Sequence, residues 1–149
     1  MLEFVIPLHP ITKKNSNIKT KTGIIPSNAY RAYERDALRV IPPRARRHID
    51  VPVNVCAVYY MAKRIRVDLT NLLNATDDVL VKAGVLSDDN RNIVAGHDGS
   101  RVYHDPKNPR TEITITALDG YEQWGGKRPP RKKKGEPHAE IQKQNHRTF

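Results

Sequence analysis

Three aspartates are the residues whose type and order best predict chemistry in this chain. Asp68 stands alone at the predicted start of a helix, and Asp88 and Asp89 stand together after the predicted helix end, twenty residues further on. Carboxylate oxygens are the ligands that hard divalent cations prefer. A lone aspartate at a helix start is also a common cap, and paired aspartates are common in polar turns. We predict Asp68, Asp88 and Asp89 as metal ligands, with a cap and a turn as the simpler alternative.

The segment between these acids is predicted to be a helix, because its apolar residues recur every three or four positions. That stripe consists of Leu69, Leu72, Leu73, Thr76, Leu80 and Ala83. Gly84 fits the position after the last turn, where a left-handed conformation ends many helices.

The predicted helix limits how the acids can meet. A straight helix from Asp68 to Ala83 would be about 22 Å long, and the five residues after Gly84 can return by at most about 17 Å. The three carboxylates can therefore converge if the chain folds back along the helix, or if the helix begins nearer Asn71. A site shared by two subunits is the third arrangement.

Basic residues surround the acidic segment. Alternation from Val51 to Met61 predicts a half-buried strand, and this strand leads directly into Lys63, Arg64 and Arg66, which we predict to contact a phosphate beside the metal. Lys13 and Lys14 lie in a polar loop that is either a second phosphate contact or a solvated hairpin.

Charge and composition favour a polyanionic partner. The 149 residues carry a net charge of +10, of which the first fifty contribute +6, residues 51–118 none and residues 119–149 the remaining +4. Such basic flanks are typical of nucleic-acid binding, although a basic surface also serves solubility. The single cysteine excludes an intrachain disulfide, and no apolar run approaches the twenty residues of a membrane span. The first residues lack the pattern of a signal peptide, so we expect a cytoplasmic protein.

The remaining patterns predict the fold. They indicate a strand over Leu2–Leu8, a helix capped by Ser27 or Asn28 and terminated by Pro42, a short strand over Ile93–Ala95, a hairpin through Val102 and Tyr103, and a last strand over Glu112–Ala117. We expect an α/β (α+β) domain over residues 1–118, with two helices packed on a small mixed sheet. Residues 119–149 are rich in Gly, Pro and charge, and we expect a flexible basic tail there.

The stretch DLTNLLNATDDVLVKAGVLSDDN resembles the signature of the RusA family of Holliday junction resolvases, which are often encoded by phages or prophages. Asp68 matches the first acid of that signature, Asn71 its asparagine, and Asp88 and Asp89 its paired acids. Thr70 stands where the family has a second aspartate, and Asn74 stands where the family has a catalytic lysine.

This resemblance implies a function and a set of roles. It implies a Mg²⁺-dependent endodeoxyribonuclease, with Mn²⁺ as the alternative ion, that acts as a homodimer and resolves four-way DNA junctions by paired nicks during recombination and repair. The expected setting is bacterial or phage-encoded, in the cytoplasm at the nucleoid. Thr70 and Asn71 would serve as auxiliary oxygens beside the three acids. Because of the two departures, a branched-DNA binder without cleavage is the alternative, and a basic RNA-associated protein is a third.

Overall fold

The fold is α+β and is organised around a mixed five-stranded sheet. The computed structural model describes residues 1–13 and 17–123. In chain order the elements are β1 (Leu2–Ile6), β2 (Asn17–Thr20), β3 (Gly23–Pro26), α1 (Asn28–Val40), β4 (Val53–Met61), α2 (Leu69–Lys82), β5 (Val94–Gly96), β6 (Arg101–His104) and β7 (Arg110–Ala117). The predicted fold class is confirmed. Neither described helix is long and apolar enough to cross a membrane.

Strand β4 is central to the sheet. It pairs antiparallel with β7, which in turn pairs antiparallel with β1. On its other side β4 pairs parallel with β5 near its start and with β6 near its end. The sheet therefore has the order β1-β7-β4, followed by an outer edge made of two short strands. The separate hairpin of β2 and β3 lies in the polar segment that contains the predicted lysine loop.

Both described helices pack on one face of this sheet. Alternate residues of β4, including Tyr59, are almost fully buried on that face, and Tyr59 Oη lies 2.7 Å from Thr76 Oγ1 of α2. Tyr33 of α1 is buried in the same hydrophobic core, together with Ile113 and Ile115 of β7. The residues that alternate with the buried ones along β4 and β7 point to the opposite face and are half-buried or exposed. The core is thus one helix layer on one sheet face.

Local chemistry explains where helix α1 begins and ends. The hydroxyl of Ser27 accepts a hydrogen bond from the backbone N–H of Tyr30, as the sequence predicted for a cap at this position. At the other end the Arg46 guanidinium donates to the carbonyl of Leu38 at 2.6 Å. Pro42 then prevents continuation, because proline cannot donate to the helical ladder.

Helix α2 ends at the predicted glycine. Gly84 has a φ of 72°, its N–H donates to the carbonyl of Val81, and the N–H of Val85 donates to the carbonyl of Leu80. These two hydrogen bonds together form a Schellman motif. The carbonyl of Gly84 also accepts from the N–H of His48, so the end of α2 is tied to the segment before β4.

Two details differ from the patterns in the sequence. The suggested hairpin through Val102 and Tyr103 does not form, because β6 pairs in parallel with β4 instead. Residues 119–123, assigned to the tail, still contact the domain, since the Gln123 amide donates to the carbonyls of Asp50 and Asn92. Residues 124–149 of the predicted tail lie outside the described residues.

Candidate active site

Asp68 occupies the N-cap position of α2, but its side chain does not cap the backbone. The Asn71 amide instead donates to Asp68 Oδ2 at 3.0 Å, while the backbone carbonyl of Asp68 accepts from the N–H groups of Asn71 and Leu72. The Asp68 side chain is exposed. The helix start therefore presents an oriented carboxylate to solvent, and the simple capping role is not what the side chain performs. Thr70 is exposed on the first turn.

Asp88 and Asp89 lie side by side on an exposed turn. Asp88 Oδ1 accepts from the N–H of Asp89, and Asp88 Oδ2 accepts from the Asn90 amide, both at 2.7 Å. These bonds favour the charged form and lower the pKa of Asp88. Partial desolvation and the neighbouring Asp88 raise the pKa of Asp89, and the charge of Asp78 adds to this. The pair thus keeps one firmly ionised carboxylate beside a second one that holds its proton more readily.

The acidic turn is fixed to the start of β4. The N–H of Ser87 donates to the carbonyl of Ile49, and the N–H of Val53, the first residue of β4, donates to the carbonyl of Ile93. Asp68 instead follows the end of β4. Since β4 has nine residues, its ends are about 26 Å apart at 3.3 Å per residue. The two acidic elements are therefore placed toward opposite ends of one strand.

The helix gives a second measure of this separation. The charge of Asp78 acts on Asp89, and Asp78 is ten residues after Asp68 and thus about 15 Å further along the helix axis. Across residues 1–13 and 17–123, no three His, Cys, Asp or Glu side chains lie close enough to hold one metal ion. One chain brings Asp88 and Asp89 together, but it does not bring Asp68 to them. Helix α2 begins at Leu69 rather than near Asn71, and the chain after Gly84 does not fold back to its head.

The predicted phosphate-binding residues fall into two groups. Lys63, Arg64 and Arg66 are exposed in the segment between β4 and Asp68, and Arg64 Nε lies 3.3 Å from His104 Nδ1. Lys13 lies elsewhere, with its Nζ 3.1 Å from Asp78 Oδ2. Lys14 lies outside the described residues. The first group is therefore next to the helix head, and Lys13 is paired with Asp78 in the second half of α2.

An interaction between Asp77 and His97 was not predicted. Asp77 Oδ2 lies 3.0 Å from His97 Nε2, and His97 Nδ1 lies 2.9 Å from the carbonyl of Val55. The hydrogen bond to Asp77 raises the pKa of His97. Asp77 is buried and occupies a core-facing position of α2, and an aspartate at such a position needs a partner. The core-facing position of Asp77 in the helical pattern was the signal available in the sequence. Its partner could not be recognised, because His97 follows a glycine in what looks like a loop.

Comparison with known proteins identifies the family of this chain. A model of the endodeoxyribonuclease RusA family matches residues 7–116, which is most of the chain. The chain belongs to the RusA family. No match was found among the curated proteins.

Membership in the RusA family makes this chain an endodeoxyribonuclease of the Holliday junction resolvase class, whose substrates are branched DNA. RusA resolvases generally depend on a divalent metal ion. The matched region includes the head of α2, the acidic turn and the strands from β2 to β7 except Ala117, the last residue of β7, whereas β1 lies before it. The predicted family is therefore confirmed, while the roles of Asp68, Asp88, Asp89, Thr70 and Asn71 stay predictions.

Proposed function

We propose that this RusA-family protein uses Mg²⁺, or Mn²⁺ in its place, to nick two opposed strands of a four-way DNA junction in recombination and repair. It would act as a homodimer on DNA in the cytoplasm. The observation that carries the proposal is the state of Asp68, whose carboxylate is exposed, oriented by Asn71 and not used as a cap.

The donor set fits a magnesium ion. Mg²⁺ usually retains several waters and needs only one or two protein carboxylates. Asp68 has an exposed carboxylate that accepts a hydrogen bond from the Asn71 amide, and Asp88 stays ionised because two N–H groups donate to it. Asn71 would hold Asp68 in position, in the way that outer partners orient metal ligands.

The positions of the acids favour a site shared by two subunits. Asp68 of one subunit would meet Asp88 and Asp89 of the other, which a two-fold dimer can achieve twice, once at each end of the paired helices. Two observations support this arrangement: helix α2 begins at Leu69, and within residues 1–13 and 17–123 no three His, Cys, Asp or Glu side chains lie close enough to hold one metal ion.

Each residue of this shared site would have a separate role. When bound, the cation supplies a more acidic water and a positive charge opposite the phosphate oxygens. Asp68, Asp88 and Asp89 would hold it, and Thr70 would offer a neutral hydroxyl in the place of a carboxylate. Lys63, Arg64 and Arg66 follow β4 and precede Asp68, so they would neutralise the scissile phosphate and fix its position before the chemical step.

Two residues favour an alternative, which is binding of branched DNA without cleavage. Thr70 and Asn74 remove one negative charge and one positive charge relative to the family signature. The loss of the lysine removes a cation that would face the phosphate, and the basic loop would have to replace it. A protein with these substitutions could retain affinity and lose turnover.

A junction cleavage assay separates the two functions. A synthetic four-way junction, labelled on each strand in turn, is incubated with Mg²⁺, with Mn²⁺ or with EDTA. We expect paired nicks with either ion, none with EDTA, and at least about a hundred-fold slower nicking by Asp68→Asn, because each charged ligand is worth several kcal/mol in such a site.

The matched control is Asp98→Asn, which removes an exposed carboxylate outside the proposed site and should nick at the wild-type rate. Gel-shift measurements on the same junction in EDTA report binding separately from cleavage. A junction that is bound tightly but stays intact with both ions would refute the nuclease proposal and support the binder.

A further inference from the structure

A stack of aromatic and cationic side chains crosses the sheet face that the described helices leave uncovered. The rings of Tyr60 and Tyr103 lie 5.6 Å apart with an angle of 29° between them. On the other side of Tyr60, the Arg110 guanidinium lies 3.6 Å from the ring centre. The three side chains come from neighbouring strands, because Tyr60 of β4 is in register with both Tyr103 of β6 and Arg110 of β7.

The inner end of this stack is fixed by ion pairs. Arg110 donates to Asp105 at 3.0 Å and to Glu112 at 2.8 Å, and Tyr60 Oη donates to the same Glu112. Because two carboxylates already neutralise Arg110, its charge is not available for a ligand. The effect of Arg110 is to fix the orientation of the Tyr60 ring, which in turn positions the Tyr103 ring before any ligand binds.

The outer end of the stack is open. Tyr103 is 46% exposed although it is a large aromatic side chain. Its strand, β6, has four residues and lies at the edge of the sheet. Within the described part of the chain, Tyr60 is the one aromatic neighbour of Tyr103. Among the residues that the structure describes, the face of the Tyr103 ring turned away from Tyr60 therefore has no aromatic partner and is a flat aromatic surface.

Positive charge lies close to this open ring. Arg101 is two residues before Tyr103 on β6 and so projects from the same face, where it is exposed. Arg64 lies 3.3 Å from His104, the residue after Tyr103, so Arg64 and the preceding Lys63 are near the end of the same strand, although the His104 side chain projects from the opposite face. Neither Arg101 nor Lys63 forms an ion pair with any residue that the structure describes.

From these contacts we propose that Tyr103 is a stacking site for an unpaired base of branched DNA. A base has a flat face for the ring and is attached to a phosphate that the nearby cations would attract. The apolar surface is a single ring bordered by cations, which suits a nucleotide better than the broad apolar patch of a protein interface. Bases at a strand exchange point are available for such contacts because their stacking is interrupted there.

This inference rests on the proposed function for the kind of DNA, but its test needs no cleavage. A junction with 2-aminopurine at the branch point, and a continuous duplex with the same base in its interior, are titrated with the homodimer in EDTA. Stacking on tyrosine quenches the fluorescence of 2-aminopurine. We expect quenching with the junction and little change with the duplex.

Variants then assign the effect to the ring. Tyr103→Phe should keep the quenching, whereas Tyr103→Ala should remove it and weaken junction binding about ten-fold, as expected for the loss of one stacked base. Val5→Ala is the matched control, because Val5 is 44% exposed and projects from the same sheet face three strands away. If Tyr103→Ala does not fold, Tyr103→Leu replaces it, since leucine keeps apolar bulk without a ring.

The outcomes separate this inference from the proposed function. Paired nicking by a protein whose Tyr103→Ala variant still quenches 2-aminopurine would refute the stacking site and leave the nuclease intact. Quenching that depends on the ring in a protein that never cleaves would leave the stacking site intact and refute the nuclease. An equal loss of affinity for junction and continuous duplex would show that Tyr103 acts on the fold rather than on an unpaired base.

Discussion

The separation of Asp68 from the acidic turn makes a strong prediction about mixed dimers. Ligands of one Mg²⁺ lie about 2.0–2.1 Å from it, so their oxygens are no more than about 4 Å apart. Within residues 1–13 and 17–123, no three His, Cys, Asp or Glu side chains lie close enough together to hold one ion, so Asp68, Asp88 and Asp89 of one chain do not form such a group. If all three acids serve one ion, Asp68 has to come from one subunit and Asp88 with Asp89 from the other.

A heterodimer of Asp68→Asn with Asp88→Asn/Asp89→Asn should therefore regain activity. Each homodimer has two damaged shared sites, but the heterodimer collects both damaged halves in one site and both intact halves in the other. We expect each homodimer to be inactive and the heterodimer, purified through a different affinity tag on each subunit, to have about half the wild-type number of sites. Its product should be single nicks rather than paired nicks, measured on a strand-labelled junction with Mg²⁺.

A second heterodimer, which combines the three substitutions in one chain, serves as the control because it should be inactive where the first heterodimer is active. Wild type paired with the triple variant Asp68→Asn/Asp88→Asn/Asp89→Asn has one complete chain but no complete shared site. It should be inactive if the site is shared and should have one active site if each chain is sufficient. Nicking by this second heterodimer, together with an inactive first one, would refute the shared site.

Three further predictions concern single residues. Gly84→Ala should lower the free energy of unfolding by about 1–3 kcal/mol in urea titrations, because φ is 72° and the new Cβ would lie 2.9 Å from the His48 ring; an unchanged midpoint would contradict this. The Asp77 partner raises the pKa of His97 above the unfolded value of about 6.5, so the pair stabilises the fold fully below about pH 6.5 and loses this effect as the pH rises through the folded pKa. Between about pH 5 and pH 9 the urea midpoint of unfolding should therefore fall less steeply for His97→Gln than for the wild type. Parallel curves for the two proteins would exclude the pair as the cause. Thr70→Asp should lower the Mg²⁺ concentration for half-maximal nicking, since it adds the carboxylate of the family signature; an unchanged midpoint would show that position 70 does not face the ion.

The sequence predicted the elements whose causes are local. The Ser27 cap, the end of α1 at Pro42 and the glycine end of α2 each depend on residues within one turn, and all three are present. The family followed from the types and spacing of Asp68, Asn71 and the paired acids, which are also local.

Features that depend on strand order could not be predicted. The stack of Tyr103, Tyr60 and Arg110 exists because β6 and β7 lie on either side of β4 in matching register, and no pattern within one strand specifies its neighbour. The contact of Asp77 with His97 has the same origin, since it joins α2 to the turn after β5. The distance between Asp68 and the acidic turn could be limited by chain length but not decided, because the direction of the chain after Gly84 depends on its bonds to His48 and Ile49.

The form of the sheet margins has a consequence for assembly. One margin is divided between β5 and β6, which have three and four residues. At the other margin the Arg44 guanidinium donates to the carbonyl of Glu3, so part of β1 is already occupied. Short or covered margins resist the addition of a foreign strand. Two copies of this chain are therefore expected to associate through side chains on their broad surfaces, and extended cross-chain β-ribbons should be rare even in concentrated solution.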